Sequence, residues 1–406
     1  MNVTMSVVGN LPPILFLTFR SFYGLSYSML GLLVLVNFST QLAVDLIFSF
    51  FSHRFNMSKT IKLMPWLSVI GFAIYSAAPL LLPNAVFFGL LLGTAIFSAS
   101  SGLAEVLLSP VIAALPSDDP ERAMSGLHSA YAWGVVVVII LATAFLAVFG
   151  AERWQVLVMV ASAIPVTSAL LFAKAEIPKL ETPGRVTGAV RMLRQPWLWV
   201  CVAAIFLGGA AEVTMSQWAS SYLEKSFGVT KALGDVFGVA LFAAMLGLGR
   251  TLYSKIGRHI ERVLLFGAIG ATVCYIAAGL TVSPVIGLIA CAFTGFCVSM
   301  MWPGSLVVAA ERFPDGGVFI YAMMAAGGDL GASVAPQLVG VVADFALKNE
   351  AVIAAAANVG MNAEQLGMKL GLLVGAVFPA LAVIVYFTLL KKREERCSDK
   401  YTVVNK

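Results

Sequence analysis

Charged side chains are scarce in this chain of 406 residues: aspartate, glutamate, lysine and arginine make up 12% of it, whereas 60% of the residues are hydrophobic. The mean hydropathy is +0.92. A water-soluble globule of this composition would leave large apolar areas in contact with water. The composition therefore excludes a soluble globular protein and predicts an integral membrane protein.

Cysteine is also scarce. Four of the five cysteines lie in apolar segments and the fifth lies near the C-terminus. An odd number in reducing or apolar surroundings argues against a disulfide framework, and no pairing among them suggests a metal site. The sequence also has no nucleophile–base pair, phosphate-binding loop or metal-ligand cluster, so neither an enzyme nor a cofactor is predicted.

What the chain does have is long apolar segments, each near or above the roughly 20 residues that a helix needs to cross a bilayer. The first begins at or near Met1 with no preceding basic residue, which fits either a start further upstream or a short first helix. The twelve predicted membrane spans are 1–19, 28–51, 63–82, 85–115, 123–149, 153–173, 197–222, 232–254, 263–281, 283–310, 318–346 and 367–390.

Positive charges orient these spans. If both termini are cytoplasmic, 20 of the 26 lysines and arginines fall on cytoplasmic connections and on the C-terminal tail, in agreement with the positive-inside rule. The net charge of +5 is not a nucleic-acid footprint, because these basic residues meet anionic lipid headgroups. The sequence thus predicts an all-α membrane protein with twelve transmembrane helices and both ends in the cytoplasm.

The longest internal connection, 174–196, divides the spans six and six and is rich in proline, glycine, threonine and basic residues. It predicts a cytoplasmic linker between an N-terminal six-helix bundle, 1–173, and a C-terminal six-helix bundle, 197–390, which is followed by a tail, 391–406. A Ser-Pro step in span 4 is echoed by a Trp-Pro step in span 10. Two repeated halves suit a carrier that rocks around a central site.

Ionisable side chains at membrane depth are costly, so each of them is a candidate functional residue. Glu105 in span 4, Glu212 in span 7 and Asp329 in span 11 lie well inside, and Asp45 in span 2 lies nearer the cytoplasmic side. By contrast, we expect headgroup solvation to suffice for three charged residues near span ends: Asp235, Arg250 and Asp344.

Glu105 is the main candidate for proton coupling. It follows a stretch of small residues, Ser100 to Ala104, that leaves room for water or a ligand. A carboxyl group in such a partly desolvated place can take up and release a proton near neutral pH. His128, at the start of span 5, is predicted either to relay protons to Glu105 or Asp45, or to hydrogen-bond a neighbouring helix.

Clusters of polar residues suggest a solute path. In span 7, Glu212, Gln217 and Trp218 belong to a segment with polar groups around much of its circumference. A tryptophan beside amide and hydroxyl donors can stack on a sugar ring, although an interfacial aromatic belt is the alternative for Trp218. In span 2, Asn37 and Gln41 are four residues apart and share one helix face. We interpret these residues as solute contacts.

Twelve spans, cytoplasmic ends and six-plus-six symmetry resemble the major facilitator superfamily across the whole chain. Within it, the sequence is most similar to the fucose permease and related sugar:proton symporters. The similarity lies in Glu105 followed by Pro110, in the Leu127-His128-Ser129 start of the aromatic span 5, and in Met301-Trp302-Pro303. The resemblance implies that Glu105 takes part in proton coupling and substrate recognition. In the transport cycle that we expect, spans 1, 5, 10 and 11 also hold the solute, and they offer Asn10, Trp133, Trp302 and Asp329.

The sequence therefore predicts a secondary active transporter of a bacterial-type plasma membrane. It would move a small polar solute, most simply a sugar, together with protons by alternating access. We expect a monomer whose partners are the solute, protons and the lipid bilayer, with no metal. Two alternatives stay open: a proton antiporter that exports amphipathic compounds, and a non-transporting receptor on a carrier fold, which the eroded superfamily loop motif at 49–58 suggests.

Overall fold

The computed structural model describes residues 1–51, 54–115, 120–178, 192–256, 259–313 and 317–404. Within these ranges the side chains of 49–50, 109–110, 113–114, 120–129, 132, 254, 256, 317–319, 321–322 and 392–404 are not described. The described chain is folded almost entirely into α-helices. This is the expected result for long apolar segments, because a helix pairs its backbone polar groups within the segment.

In chain order the helices are α1 (Asn2–Ile14), α2 (Phe16–Tyr23), α3 (Tyr27–Phe51), α4 (Met57–Leu81), α5 (Val86–Ala114), α6 (Pro120–Phe149), α7 (Trp154–Ala161), α8 (Ala163–Lys174), α9 (Pro196–Phe227), α10 (Leu241–Ile256), α11 (Ile260–Leu280), α12 (Pro284–Val298), α13 (Met301–Arg312), α14 (Gly317–Lys348), α15 (Glu350–Asn358), α16 (Ala363–Gly375) and α17 (Val377–Val404). A 3-10 turn, Ala151–Arg153, precedes α7, while a single helical turn, Lys231–Leu233, and a π-helix, Gly234–Ala240, lead into α10. We call α1–α8 the first half and α9–α17 the second half.

Each predicted span overlaps one or two of these helices. Within the described residues, ten helical stretches are long and apolar enough to cross a membrane, and the bent pair α1 and α2 supplies an eleventh. The predicted span 123–149 corresponds to α6, a helix of 30 residues whose continuously described part, Trp133–Phe149, is apolar. The all-helical membrane fold is therefore confirmed, and the count of twelve spans stays a prediction.

The bend between α1 and α2 has a local cause. The two helices meet at an angle of 46°, directly after Pro12 and Pro13. Proline has no N–H, so the carbonyl groups of Val8 and Gly9, four residues earlier, lose their intrahelical donors. The first predicted span is thus a broken helix that leaves free backbone acceptors in its interior.

The two halves meet most extensively along α3 and α14. Glycine permits this close approach, because a Cβ atom at Gly340 would lie 2.4 Å from the carbonyl oxygen of Tyr27 and one at Gly31 would lie 2.7 Å from Oε1 of Gln337. Small residues are the usual means by which membrane helices pack closely. The two helices run antiparallel, so the start of α3 faces the end of α14. We call this the Tyr27 end of the interface, and the opposite part the Asp45 end.

Candidate functional site

Three carboxyl groups meet at the Asp45 end of the interface. Asp45 on α3, Glu105 on α5 and Asp329 on α14 each place a carboxylate oxygen within 4.8 Å of the other two. Asp45 and Asp329 are each 3% exposed, whereas Glu105 is exposed. The first half provides two of the carboxyls and the second half provides the third, so the cluster spans the boundary between the halves. We call it the carboxylate cluster.

Small residues bring these carboxyls together. A Cβ atom at Gly102 would lie 3.1 Å from Cα of Gln41 and 3.1 Å from Cβ of Val44, so α3 and α5 touch where Asp45 and Glu105 follow. Any larger side chain at this glycine would force the two helices apart. The run of small residues in span 4 therefore serves helix packing as well as leaving room for water.

Two of the three carboxyls have no ion pair among the described residues. Among the described residues, no lysine or arginine forms an ion pair with Glu105 or Asp329. Oδ2 of Asp329 is buried and receives no N–H or hydroxyl donor from the part of the chain that the structure describes, and its neighbour is the carboxyl of Asp45. Two carboxyl groups hydrogen-bond to one another only when one is protonated.

The charges of the cluster also repel one another. At 4.8 Å, two full negative charges repel by about 3 kcal/mol at a protein-like dielectric of about 20. The arrangement is thus suited to holding a proton or a small cation.

A stripe of polar side chains leads from the cluster along α3. Gln41 donates from Nε2 to Oδ1 of Asn37 over 3.2 Å, and Ser98 of α5 donates to the same oxygen over 2.5 Å. Asn37, Gln41 and Asp45 are spaced by four residues and so follow one helix face. The prediction that Asn37 and Gln41 share a face is confirmed, and both are buried.

Gln217 of the second half reaches the broken helix of the first. Its Nε2 donates to the carbonyl oxygen of Gly9 over 3.1 Å, which is one of the acceptors that the prolines release. Asn10, on the next residue of α1, donates from its own amide to the carbonyl of Ser6 over 3.0 Å. Gln217 and Asn37 both line a small cavity between the halves. Of the predicted solute contacts, these two therefore face one space.

Trp218 lies in the packed interface at the Tyr27 end. It is fully buried, its Nε1 donates to the carbonyl of Pro336 over 2.9 Å, and its ring lies against Phe16 and Tyr27 of the first half. In this conformation the indole has no free face or donor to offer a solute. The indole therefore packs between the two halves as part of their contact.

Glu212 is paired with a base that was expected to lie at the membrane surface. Arg250 on α10 donates from Nη2 to both carboxylate oxygens of Glu212 over 3.2 Å and from Nε to the carbonyl of Ser299 over 3.1 Å. The interpretation that headgroups solvate Arg250 misses these partners: its guanidinium binds Glu212 of α9 and the carbonyl of Ser299, the residue after α12, although 38% of its side chain is exposed. Glu212 thus differs from Glu105 in having a cation to neutralise it.

The other two charged residues near span ends contact the opposite half. Asp344 of α14 caps the start of α3: Tyr27 N donates to Oδ1 over 2.9 Å, and Ser28 donates to Oδ2 from N over 2.7 Å and from Oγ over 2.5 Å. Asp235 is fully buried, where it accepts a hydrogen bond from Thr143 of α6 over 3.2 Å and pairs with Lys231. Headgroup solvation was therefore the wrong interpretation for both aspartates.

A further carboxylate that sequence reasoning missed completes this contact. Glu364, at the start of α16, accepts from Arg20 Nε over 3.2 Å and from the Tyr27 hydroxyl over 2.8 Å, and Lys225 lies 4.0 Å away. Its position in the first turn of a helix after a polar loop gave no sign of a role. Only the approach of α16 to α2 brings it to Arg20.

The remaining predicted residues are dispersed. Trp133 is 70% exposed on a stripe of α6 that also exposes Val137 and Leu141, so it faces away from the interface. Trp302 packs edge-on against the α9 and α14 backbones, because Cβ atoms at Gly209 and Gly328 would lie 2.8 Å and 2.4 Å from its ring. The predicted relay residue, His128, has a side chain that lies outside the described residues.

Helices of membrane-spanning length, a carboxylate cluster between two halves and a broken first helix define a polytopic transport-type protein. The family model of the Major Facilitator Superfamily matches residues 2–336, and the chain belongs to this superfamily. The search of curated proteins finds no match.

Solved structures of low sequence identity share the fold. A D-xylose–proton symporter is 16% identical with a TM-score of 0.71, over 96% of this chain and 94% of that one. A nucleoside transporter is 10% identical with a TM-score of 0.72, over 96% of each chain. The fucose:proton symporter of E. coli is 14% identical with a TM-score of 0.60, over 97% of this chain and 96% of that one. The fold is that of secondary transporters with different solutes.

Proposed function

We propose that this member of the superfamily is a proton-coupled symporter of a small polar solute of the sugar class, working by alternating access in a bacterial-type plasma membrane. The observation that carries the proposal is the carboxylate cluster, in which the two halves contribute Asp45, Glu105 and Asp329 to one place. A proton held there changes the repulsion between the halves, and this is the linkage that couples ion binding to a change of conformation.

Orientation follows from the basic residues. With twelve spans and cytoplasmic termini, α3 begins outside and ends at the cytoplasmic face, because it is the second span. The Tyr27 end of the interface is then the outer side, and Asp45 lies about 27 Å further along α3 at 1.5 Å per residue. The conformation described above has its outer side closed by Asp344, Trp218 and Glu364, while exposed Glu105 lies toward the cytoplasm.

The proposed cycle uses the boundary between the halves. When the Asp45 end is closed, Asp329 lies against Asp45 and Glu105, and repulsion among the three carboxyls favours a bound proton. When the halves part at this end, Asp329 moves away, the repulsion falls and the proton leaves to the cytoplasm. A solute that binds between the halves enters and leaves with the same movement.

The solute class rests on side-chain chemistry and on fold-level likeness. Amide and hydroxyl groups at Asn37, Ser98 and Gln217 face the interface without a charge among them, as an uncharged, hydroxyl-bearing solute requires. Two of the solved structures with this fold are a D-xylose–proton and a fucose:proton symporter. Both considerations favour a monosaccharide over an amphipathic compound.

Glu105→Gln tests the coupling role. We expect it to abolish uphill uptake driven by a pH gradient, because the amide cannot carry a proton, while solute exchange persists. The measurement is uptake into proteoliposomes of whichever monosaccharide stabilises the protein in a thermal-shift panel, since ligand binding raises apparent stability. Glu350→Gln, an exposed acid in the first turn of α15, is the matched control. Unchanged uphill uptake in the Glu105 variant would remove this residue from coupling, and uptake that follows a sodium gradient would show that the cluster binds sodium instead.

A further inference from the structure

Two cysteine side chains of the second half meet between α11 and α12. Cys274 lies on α11 and Cys297 lies on α12, and their thiols are hydrogen-bonded to one another. Both are free thiols. The sequence predicted no pairing among the cysteines, because their spacing along the chain does not show which helices lie side by side. We call Cys274 and Cys297 the thiol pair.

Glycines on α11 bring the two sulfurs together. A Cβ atom at Gly270 would lie 2.7 Å from Sγ of Cys297, so this sulfur occupies the space that a side chain would need. Gly270 is one turn before Cys274 on the same helix face, and side chains on a helix point back toward its N-terminus. The thiol of Cys274 therefore lies over the same turn. One turn further on, a Cβ atom at Gly267 would lie 2.5 Å from the carbonyl oxygen of Cys297, so the backbones also touch.

The thiol pair borders the outer surface of the helix bundle. Cys274 is 9% exposed, and Cys297 is half-buried. Beside them, Ile269 and Val273 of α11 and Phe293 of α12 are exposed apolar side chains, as expected of a surface that faces lipid. A small apolar reagent can therefore reach Cys297 from the bilayer.

The surroundings of the pair are uncharged. α11 is one of the helices long enough to cross a membrane, and Cys274 lies about 21 Å from its start at 1.5 Å per residue. The polar neighbour of its thiol on α12 is the hydroxyl of Thr294, which donates to the carbonyl of Ala290 over 2.7 Å. A net charge at this depth is costly. The pair therefore favours a ligand whose adduct with two thiolates is neutral.

The pair also has no third ligand for a metal ion in the described part of the chain. The carboxylate cluster is the one group of three carboxylate, imidazole or thiol ligands found there, so Cys291 of α12 does not complete a site with the pair. Structural zinc takes four ligands, which excludes it here. Two thiolates suit a soft ion that accepts two ligands, such as Hg²⁺. They equally suit an arsenic(III) centre that already carries one organic group. Both give neutral adducts.

The pair adjoins the break in the tenth predicted span. Ser299 and Met300 separate α12 from α13. Pro303 has no N–H for the carbonyl of Ser299, which accepts a hydrogen bond from Arg250 instead. A ligand on Cys297 would thus join α11 to the end of α12, directly before the break.

From these observations we propose that Cys274 and Cys297 form a dithiol site for thiophilic ligands that accept two thiolates, namely Hg²⁺ and arsenic(III) compounds with one organic substituent. With an organic arsenic(III) oxide, two S–H bonds break and two As–S bonds form. The oxygen leaves with both protons as water, and the arsenic stays trivalent. The adduct links α11 to α12. The site does not depend on the proposed transport function, because both thiols lie in the second half and apart from the carboxylate cluster.

Phenylarsine oxide is the probe in the first test, with the purified full-length protein kept reduced in detergent. We expect one phenylarsenic group per chain that excess β-mercaptoethanol does not remove and dimercaptopropanol does, since a chelate to two thiols outlasts a bond to one. Peptide mapping after denaturation and alkylation should show Cys274 and Cys297 as the protected cysteines. No retained adduct, or protection of other cysteines, would overturn the proposal.

Variants of the pair sharpen this test. Cys274→Ala and Cys297→Ala should each lose the retained adduct, because a single thiol cannot form the chelate. The matched control is Cys291→Ala, since Cys291 is fully buried on the same helix as Cys297 and should leave retention at the wild-type level. The serine variants of the pair replace any alanine variant that does not fold. Retention in a variant of the pair, or its loss in Cys291→Ala, would contradict the assignment.

Thermal unfolding tests the link between the helices. The adduct closes the loop of chain from Cys274 to Cys297 and so restricts the unfolded state. We expect phenylarsine oxide to raise the melting temperature of the wild-type protein by about 5 °C and to leave that of Cys297→Ala unchanged. No rise in the wild type, or an equal rise in the variant, would show that the reagent does not join α11 to α12 and would overturn the proposal.

Discussion

The two ends of the interface between the halves differ in how their charges are satisfied. At the Tyr27 end, Asp344 accepts three hydrogen bonds from the start of α3, and Glu364 has Arg20 and the Tyr27 hydroxyl as partners. At the Asp45 end, three carboxyls face one another with no ion pair to Glu105 or Asp329 among the described residues. Complementary charges hold the Tyr27 end together, whereas a bound proton or cation would offset the repulsion at the Asp45 end.

This difference shows how an alternating carrier can keep its two states close in free energy. Oppositely charged and hydrogen-bonding groups stabilise closure at the Tyr27 end. Closure of the Asp45 end depends instead on whether a proton or a cation is bound to the carboxylate cluster. A few kcal/mol separate such conformations, so modest changes at either end shift their populations. We therefore expect substitutions at the Tyr27 end to open that end even when the residues of the carboxylate cluster are not substituted.

Asp344→Ala should have the largest effect on this contrast. It removes a charged acceptor from two backbone N–H groups and one hydroxyl, at a cost of about 2 kcal/mol, or a roughly 30-fold shift toward opening at the Tyr27 end. The measurement is the labelling rate of Val34→Cys by a membrane-impermeant thiol reagent added outside, in a background with the native cysteines replaced. Val34 is 4% exposed and lines the cavity, so it reports opening.

An unchanged labelling rate in Asp344→Ala would mean that the cap at α3 is not a gate. Asp344→Asn is the graded comparison, because an amide retains one acceptor oxygen but not the charge. We expect its labelling rate to fall between those of the parent and of Asp344→Ala.

Gly340→Ala should open the same end by a steric route. The added Cβ would lie 2.4 Å from the Tyr27 carbonyl oxygen, which is a backbone atom that cannot rotate away. Overpacking of this kind costs about 1–2 kcal/mol, so we expect a roughly tenfold increase in the same labelling rate. Gly247→Ala is the matched control, because nothing lies within 4 Å of its Cβ position. Equal rates for the two alanine variants would show that contact between α3 and α14 is not limiting.

Glu364→Gln should have the smallest effect. The side chains of Arg20 and Glu364 are 26% and 27% exposed, so solvent screens their attraction. An ion pair of this kind contributes about 0.5–1 kcal/mol, which corresponds to a two- to fivefold rise in labelling. The parent protein in high salt should approach the same value. A change as large as that of Asp344→Ala would show that Glu364 and Asp344 act as one unit.

Sequence reasoning singled out the three acids of the carboxylate cluster but did not predict that they meet. Asp45, Glu105 and Asp329 stand out because each is an acid at membrane depth, and such residues are rare. That the three lie within 4.8 Å of one another depends on the packing of α3 against α14 and on Gly102, which no local pattern shows. The same reasoning correctly placed Asn37 and Gln41 on one helix face, since residues four apart lie on the same side of a helix.

It failed where a residue's surroundings come from another helix. Trp218 was interpreted as a sugar platform or a belt residue, yet Pro336, Phe16 and Tyr27 enclose it. Arg250 and Asp344 were assigned to the headgroups because they lie near span ends, yet each binds a group far along the chain. Nearness to a span end fixes depth along the bilayer normal and says nothing of which neighbour lies beside the residue.

The sequence by itself determined that this chain lies in a membrane, which segments are helical, and which residues are too polar to face lipid. These properties follow from composition and from spacing along one helix. The tertiary structure alone decided which polar groups meet, because partners such as Tyr27 and Asp344 are 317 residues apart. It also decided which buried polar atoms lack a hydrogen-bond partner among the described residues, because satisfaction of a buried group is a property of the whole packed interface.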